Sequence, residues 1–228
     1  MFRTTADRAT FGQATIASII LFSFFLFATQ AYATATTLSV TVNTAISFSV
    51  TTQNFTTITP GTPVMATTTL FTTTNDSAGW VVSLSGDNKA TGQNNLQRTG
   101  DTTVQITDQT EWIPGAATTS AGNAVRIGSF TNSGNVLAFR VATATSTNGS
   151  AFYSTTWWGT QDNYTVDNAN TLYAGIASST VARTIGNAGT GSYSSSQHLN
   201  EVQYYLNVAS SQKTGAYTAP LTYTATGN

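Results

Sequence analysis

The chain has 228 residues, with 8 Lys+Arg, 9 Asp+Glu, one His and no Cys, a formal charge of -1 and only 7% charged residues, against about 25% in an average soluble domain. There is no basic field for nucleic acid, no Ala/Glu/Lys/Leu/Arg periodicity for a helical bundle, and no thiol for a disulfide or a zinc–thiolate site. Hydrophobic residues at 40% and aromatics at 11% are enough for a core, which sets the chain apart from charge-driven disorder.

Residues 1–33 read as an export segment. Arg3 and Arg8 precede the apolar run Ile16 to Ala28, and the small-residue triplet Ala31-Tyr32-Ala33 follows. That order describes a secretory signal peptide cut before Thr34. An uncleaved hydrophobic helix is the alternative, although the run is short for a membrane span of about 20 residues. A pilin-type leader cut after Gly12 is a third reading, and it lacks the usual early Glu. Removing residues 1–33 leaves 6 basic and 8 acidic groups, a formal charge of -2.

Residues 34–50 form a separate segment ahead of the domain at 51–228. Leu38, Val40, Val42, Ile46, Phe48 and Val50 alternate with small polar residues, broken at Thr44. Period-two patterning predicts a strand with one buried and one wet face. Unbroken, it would be roughly 43 Å long, against about 5–6 residues for an ordinary strand. Either it kinks near Asn43 and stays in its own domain, or part of it is donated to a neighbouring copy as an assembly strand.

Beyond it, turn chemistry separates further predicted strands. Pro60-Gly61-Thr62-Pro63 precedes a Thr-rich strand over 64–73, and Asn75 to Gly79 turns into Trp80 to Ser85, with Trp80, Val82 and Leu84 on one face. A polar loop, a short strand over 103–107 and a long loop with Trp112 and Pro114 follow. Residues 125–130 and 136–141 read as a hairpin, 143–150 as a loop, and 171–176 and 180–185 as weak strands. Residues 186–197 read as a Gly/Ser loop, and 202–208 and 218–225 as closing strands. No stretch past residue 34 has a helical period. The pattern predicts an all-β fold, an antiparallel sandwich of Ig-like or jelly-roll-like type, behind an N-terminal hydrophobic signal helix.

Two segments carry a resemblance. Gly79-Trp80-Val81-Val82-Ser83-Leu84-Ser85 and Gly215-Ala216-Tyr217 to Leu221-Thr222-Tyr223-Thr224-Ala225 resemble the signature regions of WxL-like secreted bacterial surface proteins. Val82 stands where the first motif has Leu, and Tyr223-Thr224-Ala225 where the second has Trp-x-Leu. The resemblance covers some thirty residues. It implies a cell-surface β-sandwich and, through the family, an association with cell-wall glycan.

Catalytic chemistry is sparse. His198 is the only imidazole, it lies in a Ser-rich stretch read as a solvated loop, and no G-x-S-x-G elbow accompanies it. Glu111 and Glu201 with the Asp residues are the only carboxylates a glycosidase could use. Asp162 and Asp167 are weak calcium candidates without EF-hand spacing, so no cofactor is expected. Trp157 and Trp158 read as adjacent strand residues facing opposite ways, one of them free to contact a glycan or a partner. Lys89 and Lys213 could form isopeptide bonds, though solvated lysines are the simpler reading. Asn54, Asn75, Asn148 and Asn163 head N-x-S/T sequons.

Together these features predict a non-enzymatic, extracellular structural protein: a subunit of a fibre, pilus or surface layer assembled by β-strand addition. Its partners would be other copies of itself and cell-wall glycan, with no nucleic acid, and a membrane only through the N-terminal segment. A glycan-binding adhesin is the alternative, and a secreted hydrolase a distant third.

Overall fold

The computed structural model describes residues 45–51, 54–55, 57–87, 94–116, 120–146, 155–160, 166–188 and 194–227. The predicted export segment and Leu38, Val40 and Val42 lie outside these. The chain divides between Val42 and Asn43, and all described residues belong to the second unit.

The fold is all-β. Eleven strands are described: β1 (Ile46–Val50), β2 (Val64–Thr74), β3 (Trp80–Gly86), β4 (Gln97–Arg98), β5 (Asp101–Gln105), β6 (Thr107–Asp108), β7 (Val136–Ser146), β8 (Arg183–Ala188), β9 (Ser194–Asn207), β10 (Tyr217–Thr218) and β11 (Leu221–Gly227). They make a five-stranded sheet β1-β2-β9-β7-β6 and two three-stranded sheets, β11-β3-β8 and β10-β4-β5. All pairings are antiparallel except the short β6–β7 contact.

Local chemistry accounts for the long strands. β2 is VMATTTLFTTT, and its even residues Ala66, Thr68, Leu70, Thr72 and Thr74 are buried while the odd ones are half-buried. β-Branched Thr suits such a pleated surface. The β2–β3 turn is closed by the Asp76 carboxylate, which accepts the Ala78 N–H at 2.9 Å, and by Gly79 at φ 96°, a conformation that favours glycine.

The main core joins the five-stranded sheet to β3 and β8. Leu70, Leu137, Phe139, Val141, Val202, Tyr204 and Leu206 meet Trp80, Val82, Leu84 and Ile185 there. Trp80, Val82 and Leu84 are at most 1% exposed, as their shared face predicts. β11 runs antiparallel to β3, with Trp80 opposite Gly227 and Leu84 opposite Tyr223. The two segments that carry the surface-protein resemblance are therefore hydrogen-bonded neighbours.

The reverse face of the five-stranded sheet is also covered. Ala138, Val136 and Tyr205 pack with Phe130 and Tyr173, flanked by Met65, Val125 and Ile127. The centre of this sheet is thus buried on both faces, where simple alternation would leave one wet. The covering pieces depart from the sequence expectations. Only Val125 of the proposed hairpin arm pairs, as a bridge to Tyr173, and Ile127–Ser129 is a 3-10 turn. Residues 173–175 make isolated bridges instead of a strand. β7 runs on to Ser146 and β9 starts at Ser194, inside stretches read as loops.

One turn of helix, α1 (Thr155–Trp158), is present. It ends at Gly159, whose N–H donates to Thr155 C=O at 2.8 Å and whose φ is 79°. A Cβ there would lie 2.0 Å from the Asn170 carbonyl oxygen, so glycine is required both by dihedral and by space.

Candidate functional site

The most distinctive feature is an open groove of about 980 Å³ between the β2 edge of the large sheet and the β10–β11 segment. Its origin lies in the β1–β2 connection. β1 pairs only with Leu70 to Thr74, from Val50↔Leu70 to Ile46↔Thr74. Residues 51–63 then intervene before β2 begins, too long a connection for a tight hairpin. Thr51 extends the contact by one residue: its N–H donates to Thr69 C=O at 3.2 Å, and its hydroxyl accepts the Thr69 N–H at 3.0 Å. Along Val64 to Thr68, β2 pairs with β9 on one side, and among the described residues no strand pairs with it on the other.

The groove floor is apolar, with Ala66, Leu137, Tyr204 and Leu206 exposed to it. Phe55 and Ile58, both half-buried, make one wall. β11 makes the other, where Leu221, Tyr223 and Ala225 are half-buried and Thr222, Thr224 and Thr226 are exposed. Among the described residues, β11 pairs with β3 alone. Polar residues also line the groove, among them Thr51, Asn54, Gln212 and Lys213, and its tyrosine hydroxyls are hydrogen-bonded within the chain. The Tyr204 and Tyr223 hydroxyls bond each other. Burial holds the Tyr204 phenol well above its ordinary range, and neighbouring Tyr223 adds to the shift; burial raises Tyr223 too. The Tyr217 hydroxyl donates to Lys213 C=O at 2.6 Å. Such a surface suits an apolar, extended occupant better than a charged one.

Of the assembly residues chosen from sequence, Ile46, Phe48 and Val50 form β1 on the edge of their own sheet. Ile46 is 36% and Val50 43% exposed, and Phe48 packs partly against the core. Leu38, Val40 and Val42 lie outside the described residues.

Trp157 and Trp158 require correction. They sit in a helical turn, not a strand, and are 2% and 0% exposed. Their indole N–H groups donate to Ser120 C=O at 3.1 Å and Ile185 C=O at 3.3 Å. Trp112 packs edge-on against Trp157 and at a tilt against Trp158, at centroid distances of 5.6 and 4.5 Å. Both indoles are covered, so neither is open to a glycan or partner.

His198 is likewise not a solvated loop residue. It lies on β9, 1% exposed, with its ring 6.1 Å from that of Trp80. The period-two face of β9 extends through polar residues, His198 and Asn200, before reaching Val202. Arg140, which sequence reasoning passed over, is fully buried in the sheet centre. It donates to Gln203 Oε1 and to Trp158 C=O, each at 3.1 Å, and lies 5.8 Å from the Tyr173 ring centroid. Its position in the apolar run of β7 was the available signal.

The carboxylates serve local structure. Glu111 lies 3.6 Å from Arg183, and Glu201 is on β9 opposite Thr69 and Ala142. Asp167 accepts the Gly128 N–H at 2.9 Å and lies 3.9 Å from Arg126; Asp162 is outside the described residues. The Thr103 hydroxyl donates to Asp101 at 2.6 Å and holds that carboxyl below its ordinary range. Lys213, largely exposed, lies 3.7 Å from Asp101, while Lys89 is outside the described residues.

No protein-family model matches the chain, and no curated protein or solved structure proves similar to it.

Proposed function

We propose that this chain is a non-enzymatic, exported structural protein, a subunit of an extracellular fibre, pilus or surface layer whose copies join by β-strand addition. The observation that carries this reading is the incomplete edge of the large sheet, where an apolar groove lies beside strand backbone that has no partner strand among the described residues. Exposed edges are templates for pairing with another chain, and an added strand supplies main-chain hydrogen bonds while alternate side chains fill pockets. The two opposed sheets around the main core favour an antiparallel sandwich as the finer description of the fold.

Export rests on the order of charge, apolar run and Ala-x-Ala site in residues 1–33. The resemblance to WxL-like surface proteins supports the same location. The low charge and abundant Thr suit a surface polymer that presents hydroxyls to water. Negative-stain microscopy of native surface extracts, with intact mass of the constituent chain, tests the proposal. Filaments or a lattice built from a chain starting at Thr34 are expected. A monomeric chain in those extracts would overturn the assembly reading.

A further inference from the structure

The groove has a length, a polarity and a reach limit, and together they identify its occupant. This inference rests on the strand-addition reading above. Among the described residues, the stretch of β2 with no partner strand on this side runs from Val64 to Thr68. Thr69 directs both its N–H and its C=O towards Thr51. Backbone direction alternates along an antiparallel strand, so Thr67 and Met65 direct theirs the same way, into the open side. The slot therefore asks for about five residues of extended chain, with apolar side chains at alternate positions facing Ala66 and the floor.

Leu38 to Val42 fits that description: five residues, with Leu38, Val40 and Val42 at alternate positions between Ser39 and Thr41. The same chain cannot place them there. Ala45 is fixed at the far end of β2, where the Asn75 side chain accepts its N–H at 2.6 Å and its carbonyl accepts from Asn75 N–H at 3.2 Å and the Thr74 hydroxyl at 3.1 Å. Val42 is three residues before Ala45, a span of at most ~11 Å. The near end of the slot, Thr68, is seven residues along β2 from Asn75, about 23 Å away. The tether falls short by half.

We infer that Leu38–Val42 of a second copy occupies the slot along Val64–Thr68, between β2 and the half-buried side chains of Phe55, Ile58 and Leu221. The donor segment and the acceptor slot are different surfaces of one molecule. Each subunit donates to one neighbour and accepts from another, a heterologous contact that propagates instead of closing.

The absence of cysteine allows a direct test in the full exported chain. Val40→Cys and Ala66→Cys are made in separate preparations, mixed and oxidised. A disulfide between positions 40 and 66 of different molecules, identified by mass spectrometry of the linked peptides, is expected. In parallel, Thr67→Pro removes the N–H that faces the slot while leaving the β9 side of the strand intact. That variant is expected to keep the far-ultraviolet spectrum of the parent and to lose at least tenfold in polymer length. If it fails to fold, the cross-link decides. Polymers that form normally in Thr67→Pro, with the thiol at position 40 linking only elsewhere, would overturn the slot assignment and leave strand addition standing. An unmodified exported chain that never polymerises would overturn both.

Discussion

The centre and the edge of the five-stranded sheet are built to opposite specifications. At the centre, every residue of β7 from Val136 to Ala142 is buried, and β9 is buried from Val202 to Leu206. Both faces are covered, by β3 and β8 together with Trp158 on one side and by the segments around Phe130 and Tyr173 on the other. At the edge, β1 covers half of β2, and its Ile46 and Val50 remain exposed. One sheet thus carries a core covered on both faces and a margin where, among the described residues, only part of β2 is paired. Stability resides in the first.

The largest expected effect is a break in the centre. Trp158 packs on Trp112 and Phe139, and its carbonyl receives Arg140. Trp158→Ala should cost about 3–5 kcal/mol, seen as a fall in the midpoint of a urea melt. Next comes Arg140→Ala. It removes the donor to Gln203 and to the Trp158 carbonyl and leaves a void, together about 2–4 kcal/mol. A change below about 0.5 kcal/mol would mean that the buried guanidinium contributes nothing net.

Alkaline pH addresses the boundary between the two regions, where Tyr204 and Tyr223 line the groove. Burial raises both phenols above their unfolded values. A group raised in this way stabilises the fold fully below its unfolded pKa, near 10 for Tyr. That contribution is lost as pH climbs beyond it, because the unfolded chain ionises first. The melting temperature should therefore decline above about pH 10, and less steeply in Tyr204→Phe. The smallest effect is expected at the margin itself. Val50 is 43% exposed, and Val50→Ser should change monomer stability by no more than about 0.5 kcal/mol. A loss of several kcal/mol at Val50 would erase the distinction between centre and edge.

Much of the central architecture is legible in the sequence. Period-two patterning locates β2, β3, β11 and the apolar half of β9, and it assigns Trp80, Val82 and Leu84 to the core. The double burial of β7 is harder to read, since its run Val136 to Ala142 is continuous and carries no alternation to say how many faces are covered. The four residues of α1 scarcely exceed one helical period, so Trp157 and Trp158 read as a strand. His198 belongs to a buried face whose outer members are polar, and hydropathy marks that stretch as a loop. The groove leaves the faintest trace, because its lining comes from residues scattered along the chain. Its one sequence signal is the connection at 51–63, too long to keep β1 beside the start of β2.

The aromatic residues are distributed so that the two regions report separately to spectroscopy. All four tryptophans, Trp80, Trp112, Trp157 and Trp158, are at most 2% exposed, and three of them form one packed cluster. Their emission should be blue-shifted and poorly accessible to an aqueous quencher, and it follows the integrity of the centre alone. The groove is lined by Tyr204, Tyr217 and Tyr223 and contains no tryptophan. Excitation at the red edge of the spectrum, where only indole absorbs, therefore reads folding without interference from the groove. The tyrosine bands combine Tyr204, Tyr217 and Tyr223 at the groove with Tyr173 and Tyr205 at the centre, so a change there that leaves the indole signal untouched marks the margin.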